Sequence, residues 1–359
     1  MTASNFAASN QVMLEETNGG KFLSLLISME SSDPPFHEFY KELFDNEKEI
    51  KNNFKVVDNA EERELPLIDL SQLSRGLEDE KCKKEIAKAS QEWGFFQVVN
   101  HGVSSEVLEK MRGEQVKLFK RPFLEKANGH PNFNFLSGSY QWGTPSATCL
   151  RQLAWSEAFH VPLADISTTG DFSTLSTTTK ELATKICDLA QILAAILAEE
   201  LGHDSDFFRE YCFATTCYLR MNRYPACPIS PEVFGLMPHT DSDFLTILHQ
   251  DQVGGLQLVK DGRWITVKPN PDALIINIGD LFQAWSNNVY KSVEHRVVAN
   301  KHVERYSIAY FFCPSYETII QSCVENSLYR KFSFREFRQQ VQDDVKILGR
   351  KIGLPRFII

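Results

Sequence analysis

The stretch FLTILHQDQVGGLQLVKDGRWITVKPNPDALIINI, at residues 244–278, decides the fold class of this chain. Turn residues divide it into four short runs rich in Ile, Leu and Val, at 244–249, 256–259, 264–267 and 273–278. Asp261-Gly262, a pair typical of two-residue hairpin turns, separates the second run from the third. Similar runs occur on both sides of the stretch, at 217–224, 293–298 and 305–312. Many short strands at close spacing favour a β-sandwich or a jelly-roll barrel.

Helical patterns flank this β-rich region. Between residues 180 and 200 apolar side chains recur at three- and four-residue steps, and Gly202 stands where such a helix would end. Near the C-terminus, Ser333 and Glu336 have the spacing of a capping box, and Gly349 is placed to close that helix. We therefore expect a mainly β protein with flanking α-helices.

The chain is expected to divide into three regions. Residues 1–32, rich in Ser, Asn, Ala and Glu, are predicted to be a flexible leader. A largely helical N-terminal region is predicted for 33–205, and the β core with its C-terminal helix for 206–359.

Charge and cysteine content narrow the function classes. A net charge of -9 argues against non-specific binding to nucleic acid or to an anionic membrane, since both need basic surfaces. The eight cysteines are scattered without a CxxC pair, which predicts free thiols in a reducing compartment. The apolar stretch at 22–29 is too short to span a bilayer, and no secretory signal precedes it. A cytoplasmic protein is the resulting prediction.

Two His-x-Asp sequences are candidates for metal binding. Residues i and i+2 of a strand point to the same face, so His239-Thr240-Asp241 would present an imidazole and a carboxylate side by side. A second imidazole from a distant strand would complete a face that leaves half of the coordination sphere open, as O2 activation at Fe(II) requires. The pattern is weak by itself, because His249-Gln250-Asp251 repeats it, and either copy could be a surface turn.

Two runs with alternating polar residues indicate an anion site. Arg305, Ser307, Ala309 and Phe311 would share one face of a strand, as would Tyr218, Arg220, Asn222 and Tyr224 of another. A buried guanidinium needs a carboxylate partner, and the sequence places no obvious Asp or Glu near Arg305. A bound dicarboxylate would meet that need, with hydroxyls of Ser307 and Tyr224 as further donors. The alternative is that Arg305 faces solvent on an edge strand.

These motifs together resemble a known family. Asn222-Arg223-Tyr224-Pro225, His239-Thr240-Asp241, His295 and Arg305-Tyr306-Ser307, in this order, are similar to the plant 2-oxoglutarate/Fe(II) dioxygenases. The run WGFFQVVNHGV at 93–103 resembles the N-terminal signature of that family. The segments 138–148, 155–160 and 236–251 are most similar to the gibberellin 2-oxidases, and within them to the subgroup that acts on C20 gibberellins.

The resemblance implies a fold, a metal site and a reaction. The fold would be a double-stranded β-helix (a jelly-roll, cupin-like core). Fe(II) would be held by His239, Asp241 and His295. The co-substrate 2-oxoglutarate would be bound by Asn222, Tyr224, Arg305 and Ser307, with Arg305 essential to catalysis through the distal carboxylate. O2 would be the oxidant, succinate and CO2 would be released, and ascorbate is expected to support activity.

The substrate implied is a diterpenoid acid, hydroxylated at its 2β position so that the hormone or its precursor is inactivated. Phe311 is a candidate wall of the substrate pocket, or else part of the barrel core. Two alternatives stay open at this point. One is another family activity, such as gibberellin 20-oxidation or flavonoid oxidation, and the other is a barrel that binds hormone without turnover.

The resemblance also assigns the remaining histidines. His249 falls at the end of a predicted strand and is expected to be structural. His101 is expected to have a packing or turn role, and His302 is expected in a solvated loop. His160 is expected to be a packed core histidine, with a place on the substrate side as the alternative.

Overall fold

Two sheets face each other and form a jelly-roll core, as predicted. The computed structural model describes residues 31–48, 60–73, 76–128, 139–166, 173–229 and 233–359. The leader predicted for 1–32 therefore lies outside the described residues, apart from its last two. In spatial order, the first sheet contains Glu61–Arg63, Arg263–Val267, Leu256–Lys260, His295–Val298 and Phe234–His239. The second contains Leu67–Asp69, Phe95–Val99, Leu274–Ile278, Leu245–Gln250, Arg305–Phe312, Tyr218–Tyr224, Glu157–Pro162 and Tyr140–Trp142.

The predicted hairpin is formed by the strands Leu256–Lys260 and Arg263–Val267. Asp261 and Gly262 both have positive φ, 51° and 73°, which the two central residues of a type I′ turn require. A further pair of short strands, Ile319–Ile320 and Phe332–Ser333, leads into the C-terminal helix.

The two faces of strand Arg305–Phe312 contact different parts of the molecule, the cavity on one side and the apolar core on the other. Its alternate residues Arg305, Ser307, Ala309 and Phe311 line a cavity between the sheets. The residues between them, among them Ile308 and Tyr310, are buried in the main apolar core on the other side of the sheet. The period-two pattern of this strand therefore places polar chemistry inside the barrel and packs its other face against helices.

Helices cover the outer face of the larger sheet and the ends of the barrel. The α-helices of the described residues are Phe36–Phe39, Lys41–Lys48, Leu77–Glu92, Ser105–Phe119, Phe123–Ala127, Ser173–Glu199, Asp206–Tyr211, Asp280–Trp285 and Phe334–Leu348. The last begins at the cap Ser333, whose hydroxyl accepts a bond from the Glu336 amide, and ends at Gly349 with φ of 69°, as predicted. The predicted capping box is only half formed, because the Glu336 carboxylate pairs with Arg330 at 2.7 Å. Among the described residues no helix is long and apolar enough to cross a membrane.

The long central helix begins earlier than its sequence predicts. We expected it from residue 180, but it starts at Ser173. In its first turns the hydroxyls of Thr178 and Thr179 bond back to carbonyl oxygens four residues earlier, so these polar side chains are satisfied within the helix although both are buried. Leu175 is buried beside them, which extends the apolar face of the helix.

Four strands of the two main sheets lie outside the runs predicted from the sequence: Glu61–Arg63, Tyr140–Trp142, Glu157–Pro162 and Phe234–His239. The last contains Gly235 and Pro238, residues that are unfavourable inside strands. The first three belong to the region 33–205, as do Leu67–Asp69 and Phe95–Val99, so strands of that region complete both sheets. A domain boundary at 205/206 stays a prediction. All eight cysteines are free thiols, as expected.

Candidate metal centre and cavity

Three predicted metal ligands lie together at one end of the cavity. His239 ends the strand Phe234–His239, Asp241 follows two residues later, and His295 begins the strand His295–Val298. The two strands are neighbours, and His295 stands directly opposite His239. One ligating atom from each residue can be chosen so that all lie within 4.8 Å of one another. The Nε2 atoms of His239 and His295 are 3.6 and 3.7 Å from the Asp241 carboxylate oxygens.

The second ring nitrogen of each histidine already has a partner. His239 Nδ1 donates to the carbonyl of Met237 at 2.8 Å, and His295 Nδ1 donates to that of Val293 at 3.0 Å. These bonds set the tautomer, so each Nε2 keeps a lone pair that points to the common centre. Burial, then the nearby His295, lowers the pKa of His239 to about 3, so its ring is neutral. The pair is therefore ready to ligate a metal ion.

Two donors orient the carboxylate of Asp241. Its Oδ2 accepts bonds from the Thr246 hydroxyl at 2.6 Å and from the Asn277 amide at 2.5 Å. Both donors lie on strands of the opposite sheet, and neither was expected from the sequence. Oδ1 faces His239 and is free to ligate. Two imidazoles and one carboxylate on one side, with open space on the other, fit Fe(II) better than a closed four-ligand zinc site.

The candidate co-substrate site centres on Arg305, which is only 2% exposed. Its Nη2 donates to Gln250 Oε1 at 2.7 Å, and its guanidinium lies 4.8 Å from the centre of the Tyr224 ring. Its Nε has no partner, and no described carboxylate forms an ion pair with it. The alternative of a solvent-facing edge charge is therefore wrong. A buried guanidinium with no anionic partner fits a bound carboxylate.

The other predicted co-substrate residues line the same cavity. Ser307 Oγ lies 3.4 Å from Arg305 Nη1 and also 3.4 Å from Asn222 Nδ2. Tyr224 packs against Gly235, where an added Cβ would come within 2.6 Å of the Tyr224 ring. Gly235 therefore has a steric role that its weak strand propensity conceals.

Gln115, which was not predicted from the sequence, supports the co-substrate residues from the opposite face of the sheet. It lies in helix Ser105–Phe119 and is 1% exposed. Its amide donates to the carbonyl of Asn222 at 3.1 Å and to that of Ser307 at 2.9 Å. One side chain thus holds the two adjacent strands together at the level of the co-substrate residues.

The cavity has a volume of about 1080 Å³ and is closed on one side by the C-terminal helix. Arg338, Gln342 and Val345 of that helix line it. Lys351, just beyond the helix, donates to the Thr240 carbonyl and the Ser242 hydroxyl, both at 2.8 Å, and pairs with Asp280 at 2.7 Å. The segment after the barrel is therefore fastened to the turn that carries Asp241.

The remaining histidines have separate positions. In the second His-x-Asp copy, Asp251 accepts backbone bonds from Val253 and Tyr306, a structural role. His101 accepts a bond from the Val103 amide within a turn, and His302 is exposed, both as predicted. His160 is not a histidine packed only in the apolar core. It lines the cavity and stacks on Tyr218 at 4.2 Å, which is the alternative position on the substrate side.

Phe311, the candidate wall residue, lines the cavity as well. Its ring stacks on Tyr218 with 4.5 Å between the centres and 13° between the planes. Its other contacts are with the main apolar core, so Phe311 is both a wall of the cavity and part of the barrel core.

The chain is similar to proteins of one family by sequence and by fold. The profile of the 2OG-Fe(II) oxygenase superfamily matches residues 215–314, and that of the "non-haem dioxygenase in morphine synthesis N-terminal" region matches 65–174. Gibberellin 2-beta-dioxygenase 8 of Arabidopsis thaliana is 61% identical, over 91% of this chain and 98% of that protein. Gibberellin 2-beta-dioxygenase 6 of Oryza sativa subsp. japonica is 54% identical, over 82% and 85%. The crystal structure of JOX2 in complex with 2OG, Fe and JA has a TM-score of 0.67 and 34% identity, over 79% of this chain and 87% of that one.

Proposed function

Because this chain belongs to the 2OG-Fe(II) oxygenase superfamily, we propose that it hydroxylates gibberellins at the 2β position and so inactivates them. Its cofactor is Fe(II), and its co-substrates are 2-oxoglutarate and O2. When bound, the iron supplies the centre at which O2 oxidises 2-oxoglutarate to succinate and CO2 and delivers one oxygen atom to a substrate C–H bond. Four relatives with 43–61% identity are gibberellin 2-beta-dioxygenases by name, which favours this activity over gibberellin 20-oxidation and flavonoid oxidation.

One observation carries the proposal: an open His239–Asp241–His295 face and an unpaired, buried Arg305 border the same cavity. We assign the three ligands to iron. Arg305 would pair with the distal carboxylate of 2-oxoglutarate, with Ser307, Asn222 and Tyr224 beside it. A catalytically silent binding protein would need neither the open ligand set nor a second anion site.

The cavity also suits a diterpenoid acid. Besides the polar groups it is walled by apolar side chains, which include Leu236, Leu248, Leu256, Ile275, Val297 and Phe311. Its volume of about 1080 Å³ leaves room for a tetracyclic substrate beside 2-oxoglutarate. We further propose that the enzyme prefers C20 gibberellins. It is supported by the likeness of segments 138–160 and 236–251 to the C20 subgroup. A cytoplasmic location is also proposed, and the free thiols agree with a reducing compartment.

The test is turnover of a gibberellin panel. Purified protein is incubated with Fe(II), 2-oxoglutarate, ascorbate and, one at a time, C20 and C19 gibberellins, and the products are identified by mass spectrometry. We expect 2β-hydroxylated products, formed faster from C20 compounds. The absence of 2β-hydroxylation from every gibberellin would refute the activity, whereas faster turnover of C19 compounds would refute only the preference.

The two His-x-Asp copies provide a matched control for the ligand assignment. His239→Ala should lose bound iron and 2-oxoglutarate decarboxylation, while His249→Ala should keep both. Retention of iron by His239→Ala, with the metal content measured directly, would contradict the assignment.

A further inference from the structure

The cavity contains a second pair of arginines, apart from Arg305, that the reaction as described does not use. Arg220 projects from strand Tyr218–Tyr224 and Arg338 from the C-terminal helix. Both line the cavity. Among the described residues, no carboxylate forms an ion pair with either guanidinium.

Two other cationic side chains that line the cavity already have acidic partners. Arg335 pairs with Glu317 at 2.5 Å, and Lys351 pairs with Asp280 at 2.7 Å. Among the described residues that line the cavity, Asp241 is the one carboxylate, and it belongs to the metal centre. Arg220 and Arg338 therefore differ from these neighbours, because no described carboxylate pairs with them.

The contacts of Arg220 and Arg338 are neutral. Arg220 donates to Asn222 Oδ1 at 2.9 Å, and Arg338 lies 6.0 Å from the centre of the Tyr218 ring. His160 stacks on that ring, and burial, then Arg220 and Arg338, lowers its pKa to about 3. A neutral imidazole contributes no countercharge. Both arginines are half-buried and both act on His160, so an anion between them would supply the countercharge that the described residues do not.

We propose that Arg220 and Arg338 bind the carboxylate of the substrate. This inference rests on the proposed function and identifies the polar anchor of its acidic, otherwise apolar substrate. Tyr218 and Phe311, stacked beside the two arginines, would then receive the adjoining hydrocarbon. The bound acid would bridge the barrel and the C-terminal helix, and so fix which C–H bond faces the metal centre.

The consequence is a division between two anion sites. Arg305 serves the co-substrate, and the Arg220–Arg338 pair serves the substrate. Substitution of Arg338 should therefore weaken substrate binding without changing the KM for 2-oxoglutarate. Charge-assisted hydrogen bonds of this kind typically account for about 10- to 100-fold in affinity.

The experiment measures binding of a gibberellin acid and of its methyl ester. Enzyme loaded with Fe(II) and 2-oxoglutarate is titrated without O2, so that turnover does not interfere. Wild type should bind the acid at least tenfold more tightly than the ester. Arg338→Gln and Arg220→Gln should lose that preference, Arg338→Lys should recover part of it, and Arg335→Gln, on the same helix but paired with Glu317, should keep it.

The outcomes separate this inference from the proposed function. Equal affinity of wild type for acid and ester, or a preference kept by both Arg→Gln variants, overturns the anchor even if 2β-hydroxylation occurs. A preference that depends on Arg338, found without any 2β-hydroxylation, leaves the anchor in place and refutes the activity. If wild type binds no gibberellin acid, both the carboxylate anchor and the proposed activity are refuted. Thermal denaturation and the KM for 2-oxoglutarate report whether each variant is folded.

Discussion

The metal-facing side chains are oriented by residues that do not reach the metal position. The Thr246 hydroxyl bonds to Asp241 Oδ2 and also lies 2.9 Å from Asp243. Asn277 bonds to the same oxygen of Asp241. Partners of this kind fix the direction of the free lone pairs, and their loss typically costs about 10- to 100-fold in metal affinity.

Thr246→Val should therefore weaken iron binding by about 10- to 100-fold while the fold is retained, because only the donor is removed. Iron affinity is measured by metal titration of the apoprotein. Thr266→Val is the matched control, since the Thr266 hydroxyl bonds to Gln257 and the Ala60 carbonyl on the outer edge of the smaller sheet. Equal iron affinity of wild type and Thr246→Val would show that the hydroxyl has no orienting role.

Among individual residues, those whose side chains are unusual for a β-strand could be recognised from the sequence. Arg305 in a β-type run and the His239–Asp241 spacing could be recognised without a structure. Gln250, Asn277 and Gln115 could not, since an amide among apolar residues has no distinctive pattern and each one's partner is distant in the chain.

Among the elements, helix Ser105–Phe119 is connected to the co-substrate residues through Gln115. Helix Ser173–Glu199 offers a comparison, because its Gln191 amide also donates to two backbone carbonyls, of Phe208 and Cys212. The two glutamines make the same kind of contact in different places. Their effects on stability and on co-substrate binding can therefore be separated.

Gln115→Leu and Gln191→Leu should each lower the free energy of unfolding by about 1–3 kcal/mol, since each removes two hydrogen bonds to buried backbone carbonyls. Only Gln115→Leu should also raise the KM for 2-oxoglutarate, because only Gln115 holds the strands that carry Asn222 and Ser307. Urea denaturation and initial-rate kinetics measure the two effects. A raised KM in both variants would point to a general loss of stability instead.

Elements with strong periodicity or clear end signals were predictable, and those shaped by their surroundings were not. The hairpin at Asp261-Gly262 and the helix between Ser333 and Gly349 follow from local sequence. Strand Phe234–His239 does not, because its pairing with the His295 strand overrides the low strand propensity of Gly235 and Pro238.

For the whole molecule, a buried ionic network connects the N-terminal segment to the barrel. Glu157, which is fully buried, pairs with Lys126 at 2.6 Å and with Arg223 at 2.7 Å. Arg223 also pairs with Asp33 and with Glu304. The Tyr140 hydroxyl donates to Glu157 as well.

Glu157→Gln should destabilise the protein by about 3–5 kcal/mol, since it leaves Lys126 and Arg223 buried with too little negative charge. The free energy of unfolding from chemical denaturation measures this effect. Glu61→Gln, in an exposed pair with Arg63, should leave stability unchanged. A Glu157→Gln variant as stable as wild type would mean that the network is not needed for folding.

The pairing of strands across the whole molecule was the feature least predictable from the sequence. The β-rich texture of residues 217–312 indicates a sandwich or barrel, but composition does not specify which strands pair. Nor does it reveal that strands before residue 205 complete both sheets. Pairing depends on contacts between distant positions, which a pattern of local residue types does not encode.

The cross-strand pair of His239 and His295 has one more consequence, for folding. A metal ion held by both side chains is a crosslink that closes the loop between positions 239 and 295, as a disulfide would. Because an unfolded chain cannot hold the ligands in place, ligation favours the folded state. Iron supply would then influence how long the protein survives as well as how fast it works.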